Sequence, residues 1–176
     1  MIVAVNTNIS ICALLQVMPI LVKLFEEKNE ELCAAALHAV SSLVRNFEPG
    51  LVEFIKLGGI HKIVQHLSTE YSRFFTKLCF VIACLSQNED VRSELVKNDA
   101  ISKLFSHMDV VSGFDIKTET TLYAMSELSQ SNLWNPDQKM KTQLTETLTE
   151  LVTINKELPE CEEMIAYANL VLNKCK

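Results

Sequence analysis

Apolar residues recur at i, i+3, i+4 and i+7 in three separated stretches, the spacing that places them on one face of a helix. The stretches are Met18, Leu21, Val22 and Phe25, then Ile60, Ile63, Val64 and Leu67, then Ile101, Leu104, Phe105 and Met108. They align position for position at offsets of 42 and 41 residues. Each is followed by a more uniformly apolar helical stretch, over 37–43, 79–85 and 122–128, at offsets of 42 and 43. A shorter apolar element precedes two of the copies: Leu51, Val52, Phe54 and Ile55, then Val91, Leu95 and Val96. Helical elements that keep one period specify a solenoid, and three helices in about 42 residues is the armadillo arithmetic rather than the two-helix HEAT pattern.

The pattern therefore predicts an all-α protein, one armadillo-type right-handed helical solenoid over 1–176, with about three repeats and a C-terminal capping helix pair. Approximate repeats are 8–46, 48–88 and 89–131, with the cap over 136–176. Punctuation agrees. Pro49 and Gly50 open a short helix, Gly58-Gly59 turns the chain, Pro19 falls near a helix start and Asn88-Glu89-Asp90 supplies capping oxygens. Two longer amphipathic helices, over 137–155 and 160–175, flank Pro159. Counting back one period puts residues 1–4 at the end of a third helix and Ile9, Cys12 and Ala13 in the next first helix. The array is thus expected to be N-terminally truncated.

Composition narrows the classes. Four glycines and four prolines in 176 residues are too few for a sandwich or a dinucleotide-binding fold, and 48% hydrophobic residues exclude disorder. A net charge of −6 is the wrong sign for a nucleic-acid partner. No apolar run reaches the roughly 18 residues of a membrane span, so no membrane partner is expected, and residues 1–10 do not read as a signal peptide. The six cysteines, at 12, 33, 79, 84, 161 and 175, contain no CxxC unit. Cys33, Cys79 and Cys84 read as small hydrophobes in a reducing compartment, and the cytoplasm is the expected location.

Catalytic chemistry finds little footing. His38, His61, His66 and His107 form no i, i+4 metal pair and read as solvated helix-surface residues. No glycine loop cradles phosphate, Ser41-Ser42 lacks a nucleophile elbow, and Cys84 has no evident base. Glu26-Glu27 and Glu162-Glu163 read as solvated faces. No enzyme activity, cofactor or metal is expected.

Solenoids offer a curved surface instead, and the third helix of each armadillo repeat lines its concave side. The repeat alignment places Ala35, His38, Ser42 and Arg45 there from the first copy. Lys77, Phe80, Cys84 and Gln87 come from the second, and Thr120, Tyr123, Glu127 and Gln130 from the third. His38, Phe80 and Tyr123 share one position, a ring in every repeat. Such rings serve either as partner hot spots or as wedges between adjacent helices. Arg45 and Lys77 are either contacts or ordinary solubilising charges. The candidate partner-binding set is His38, Ser42, Arg45, Lys77, Phe80, Cys84, Gln87, Tyr123 and Glu127. The Trp and Asn ladder with which importins and catenins hold extended peptides is absent, since Ser42, Cys84 and Glu127 stand at the Asn positions.

The segment 43–60, with Leu43-Val44-Arg45, then Gly50-Leu51, Phe54 and Leu57-Gly58-Gly59, resembles the armadillo-type nucleotide exchange factors of the seventy-kilodalton heat-shock chaperones. The closing run from Glu160-Cys161-Glu162-Glu163-Met164 to Asn173-Lys174-Cys175 resembles that family's last helix, and the likeness spans roughly residues 10–175. It implies a co-chaperone that grips the ATPase domain of heat shock protein 70 with its concave face and promotes ADP release. The family's groove maps onto the third-helix stripe named above. Family members carry further armadillo helices before the point where this chain begins. The run Phe54-Ile55-Lys56-Leu57-Gly58-Gly59 is also similar to the endoplasmic-reticulum-lumenal branch, while the closing helix favours the cytosolic one. The competing expectation is a generic armadillo adaptor for another protein or peptide.

Overall fold

Helix starts coincide with residues able to cap them. Asn29, Asn88, Asp115 and Asp137 each accept a hydrogen bond from the backbone N–H three residues on, at 3.1, 3.1, 2.7 and 2.8 Å. A side-chain cap of this kind is worth about 1 kcal/mol. The computed structural model describes residues 16–45, 47–68 and 72–175. The expectations placed on residues 1–4, Ile9, Cys12 and Ala13 lie outside the described residues.

The described helices are α1 (16–23), α2 (Glu30–Val44), α3 (Glu48–Lys56), α4 (Gly59–His66), α5 (Ser72–Leu85) and α6 (Glu89–Lys97). They continue as α7 (Ala100–Phe105), α8 (Ile116–Leu128), α9 (Gln138–Asn155) and α10 (Glu162–Lys174). Short 3-10 turns over Leu24–Glu26 and Pro159–Cys161 follow α1 and precede α10. No strand occurs among the described residues. The protein is all-α.

Helices α2, α5, α8 and α10 pack side by side in that order as an inner row. The shorter α3, α4, α6 and α7 form an outer row against them. Helix α8 is walled by α5 on one flank and α10 on the other, which is why its buried face is broad and mixed. Leu122, Ala124, Met125 and Leu128 are buried there with Thr118, Thr121 and Ser126. The hydroxyls are spent locally: Thr121 Oγ1 donates to Lys117 O at 2.7 Å and Ser126 Oγ to Tyr123 O at 2.8 Å. Hydrogen bonds of this kind offset the cost of burying the hydroxyls.

The turn between the first and second helices of a repeat demands a left-handed residue. Gly58 takes it with φ 70°, and Asp99, at the equivalent position 41 residues on, takes it with φ 63°. A following small residue lets the short helices meet. A Cβ on Gly59 would lie 2.2 Å from the fully buried Phe54 ring.

Two of the histidines correct the sequence reading. His66 and His107 are not solvated surface residues; both are half-buried between repeats. His66 meets Phe25 and Phe74 edge-on at 6.3 and 5.4 Å and hydrogen-bonds the Phe25 backbone. His107 lies 4.4 Å from Phe75 and its Nε2 donates to Leu67 O, while Lys103 Nζ donates to Val64 O at 3.1 Å. Lys62 in turn pairs with Glu26. A Lys and a His four residues apart therefore recur, on α4 and on α7 with the turn that follows it, fastening α4 to the 3-10 turn after α1 and α7 to the C-terminal end of α4. His38 and His61 are exposed, as expected.

In the C-terminal unit α9 alone stands in for the short outer pair of a regular repeat, and α10 is its inner helix. With no turn residue inside 138–155, the outer element runs on as one 18-residue helix. Asn155, fully buried near its end, holds the loop before α8: Gly113 N donates to its Oδ1 at 2.7 Å, and its Nδ2 donates to Val111 O at 2.9 Å.

Candidate functional site: the inner-row face

The inner row presents one accessible stripe. His38 and Ser42 on α2, Arg45 at its C-terminal end, Lys77 on α5 and Gln87 just beyond α5 are exposed, and Phe80 is 43% exposed. Cys84, Tyr123 and Glu127 are half-buried. Every residue of the candidate set therefore reaches the surface, and Phe80 is not an internal wedge. Tyr123 is intermediate: one side of its ring is covered, and what covers it is Tyr167 of α10, at 5.0 Å with planes 33° apart.

Three groupings emerge. His38, Thr76, Lys77, Phe80 and Thr120 line a cleft of about 210 Å³ between α2, α5 and α8. A second cleft of about 470 Å³ adjoins it through Thr76 and Lys77 and extends to Ala35 and Ile116. Ile116 and the nearby Phe114 are each 51% exposed, an apolar rim at the N-terminal end of α8.

The second grouping is centred on Arg45. Its guanidinium carbon lies 5.4 Å from the Phe80 ring centroid, and Nη2 donates to Cys84 Sγ at 3.4 Å. The Phe80 ring thus carries a cation supplied by the chain itself.

The third grouping is Tyr123 with Tyr167, and its surroundings are acidic. Glu119 and Glu127 stand one turn before and after Tyr123 on α8, and Glu163 stands one turn before Tyr167 on α10. Burial raises the Glu119 carboxyl above its ordinary range, and the charge of Glu163 adds to the rise. Burial raises both tyrosine hydroxyls as well. Glu127 is the next cause at Tyr123, where Arg45 opposes it, and Glu163 and Glu119 are the next causes at Tyr167.

Sequence reasoning missed Tyr167, Glu119 and Glu163. The signal existed: Tyr167 follows Tyr123 by 44 residues, so the spacing of His38, Phe80 and Tyr123 carried one step further reaches it. Reading 160–175 only as a cap hid this, and the assignment of Glu162-Glu163 to a solvated face overlooked that Glu163 borders the stripe. Ser42 Oγ is turned to its own helix, donating to His38 O at 3.1 Å. Gln87 joins none of the three groupings.

The buried thiols are poor nucleophiles. Burial pushes Cys79 up to about 12 and also raises Cys33 and Cys161. No cluster of three His, Cys, Asp or Glu side chains among the described residues is placed to hold a metal ion. No described helix is long and apolar enough to cross a membrane.

No family model matches the chain, and no curated protein matches it. Solved structures do. A designed armadillo repeat protein superposes with a TM-score of 0.68 at 18% identity, covering 90% of this chain and 64% of its own. A computationally designed armadillo repeat protein for modular peptide recognition gives 0.66 at 19% identity, covering 89% and 63%. A designed armadillo repeat protein in complex with the peptide (KR)4 gives 0.61 at 17% identity, covering 96% and 87%. The chain spans just under two thirds of the length of the first two. These likenesses bear on the fold, and the fold is armadillo-type.

Proposed function

We propose that this chain is a protein-binding armadillo module without catalytic chemistry of its own, and that its partner is the ATPase domain of a seventy-kilodalton heat-shock chaperone. The observation that carries the reading is the continuous row of accessible rings on the inner helices: His38, Phe80, Tyr123 and Tyr167. Rings grouped with an arginine and with apolar clefts are the usual composition of interface hot spots. The absent Trp and Asn ladder argues for a folded surface rather than an extended peptide. The resemblance of segment 43–60 and of the closing helix to the exchange factors supplies the identity of that surface.

The mechanism is differential binding. ADP is held by a closed cleft between two lobes, and a rigid curved face that fits one lobe only when the cleft is open stabilises the open state. A factor that binds the open state tenfold more tightly than the closed one shifts the equilibrium by about 1.4 kcal/mol toward release. No bond is made or broken by the module. The cytoplasm is the proposed location.

The test is the release of fluorescent ADP from a cytosolic seventy-kilodalton chaperone with and without this protein. Acceleration supports the reading. Binding without acceleration means that the face holds the chaperone but does not force the cleft open, and the absence of both binding and acceleration contradicts the reading. In that last case the adaptor reading takes over, favoured by the acidic C-terminal part of the groove and by the basic peptide bound to one designed structural neighbour.

A further inference from the structure

The inner-row face contains two ring steps, and they are completed differently. At the first, the chain lays its own Arg45 over Phe80. At the second, Tyr123 and Tyr167 form a two-ring surface bordered by Glu119, Glu127 and Glu163, and none of the three carboxylates forms an ion pair among the described residues. The nearest cation on α8, Lys117, is drawn to another side of the helix, where its Nζ lies 5.9 Å from the ring centroid of the buried Phe75. Arg45 reaches toward Tyr123 but is committed to Phe80 and Cys84.

We propose that the Tyr123–Tyr167 pair and its three glutamates are the seat for a cationic side chain, best an arginine, presented by the partner protein. This rests on the reading of the inner row as the partner face and specifies the chemistry that the partner must bring. Aromatic faces attract cations, and a planar guanidinium stacks on tyrosine while its fork meets carboxylates at the ring edge. Like charges held near one another on a half-buried surface are a standing cost, and a bound cation relieves it while gaining from each carboxylate. A net charge of −6 steers cationic surfaces toward the groove. A divalent metal is the less suitable occupant, because no three carboxylates of the described residues converge closely enough to coordinate one.

Two probes test this: a fluorescein-labelled tetra-arginine peptide, with tetra-glutamate as control, and the chaperone ATPase domain. Binding is read by anisotropy at low and physiological salt. The wild-type protein is expected to bind tetra-arginine and not tetra-glutamate, more weakly as salt rises. The double variant Glu119→Gln, Glu163→Gln loses affinity about tenfold, as removal of two partly exposed charges implies. Tyr167→Leu loses about threefold, the loss of one cation–ring contact. Helicity and melting temperature confirm that the glutamine variant is folded. Equal binding of tetra-arginine by wild type and double variant overturns the proposal, as does binding of both peptides alike. If only the ATPase domain binds, the double variant decides: an unchanged affinity overturns the proposal. If only the peptide binds and the double variant loses it, the cation seat stands and the chaperone reading falls. If neither probe binds, both fall.

Discussion

The α2–α5 and α8–α10 steps of the inner row share a backbone plan and differ in chemistry at a few positions. In the first, a lone ring, Phe80, is covered by the chain's own guanidinium, with Lys77 and His38 beside it and an apolar cleft beneath. In the second, two rings lie against each other and carboxylates take the place of the cation. A repeat array fixes where side chains stand; the individual substitutions fix what each step can hold. The groove is consequently polarised, cationic and apolar toward α2 and anionic and aromatic toward α10.

The largest effect should come from the wall common to both steps. Leu122 on α8 is fully buried, and Leu122→Ala should cost about 2–5 kcal/mol in a urea unfolding experiment. A loss well under 1 kcal/mol would mean that α8 does not join the two steps. Next comes the tyrosine pair. A double-mutant cycle over Tyr123→Leu and Tyr167→Leu should give a coupling of about 0.5–1.5 kcal/mol beyond the lost area. The corresponding cycle over Arg45→Met and Phe80→Leu should give about 0.5–1 kcal/mol, as for an exposed cation–ring contact. That second coupling should shrink in high salt and the first should not.

The smallest effects are in pH, and their signs oppose. Burial, the charge of Lys62 adding to it, lowers His66 below its ordinary value of 6.5. Above 6.5 the ring is neutral in folded and unfolded chains alike, but as pH falls through 6.5 the unfolded chain takes up the proton first and stability is lost there. Glu119 is raised above 4.5, so its contribution is full below 4.5 and is lost as pH rises through the higher folded value. Hydrogen exchange in mildly acidic buffer should show α4 opening more readily while α8 and α10 are held or strengthened. Replacing His66 by Gln should remove the first trend and leave the second.

Much of this arrangement is legible in the chain. The i, i+3, i+4, i+7 spacing and its period locate the helices, because burying an apolar face against a neighbour is what each repeat must do. The accessible stripe follows from the same register, and Phe80 and Tyr123 stand where it puts them. What the pattern does not carry is pairing between elements distant in sequence. His66 and His107 look like surface residues along their own helices, and only the stacking of one outer helix on the next buries them against Phe25, Phe74 and Phe75. Glu163 looks solvated within its run of acids, and only the contact of α10 with α8 brings it beside Glu119. Asn155 gives no local sign that it will close the loop at Gly113, 42 residues earlier. Periodicity reports one element at a time, and these interactions belong to two.

The most direct test of the account is whether the proposed stimulation of ADP release depends on the inner row and not on the outer one. Phe80→Arg places a charge on the ring row, and Val52→Arg places the same charge at a 41% exposed position of α3 in the outer row. Both variants should retain the wild-type helical signal. In the fluorescent ADP release assay, the account predicts that the Val52 variant accelerates release as the wild type does and that the Phe80 variant does not. Equal acceleration by both variants, or loss at Val52 with activity kept at Phe80, would contradict the claim that the ring row is the working face.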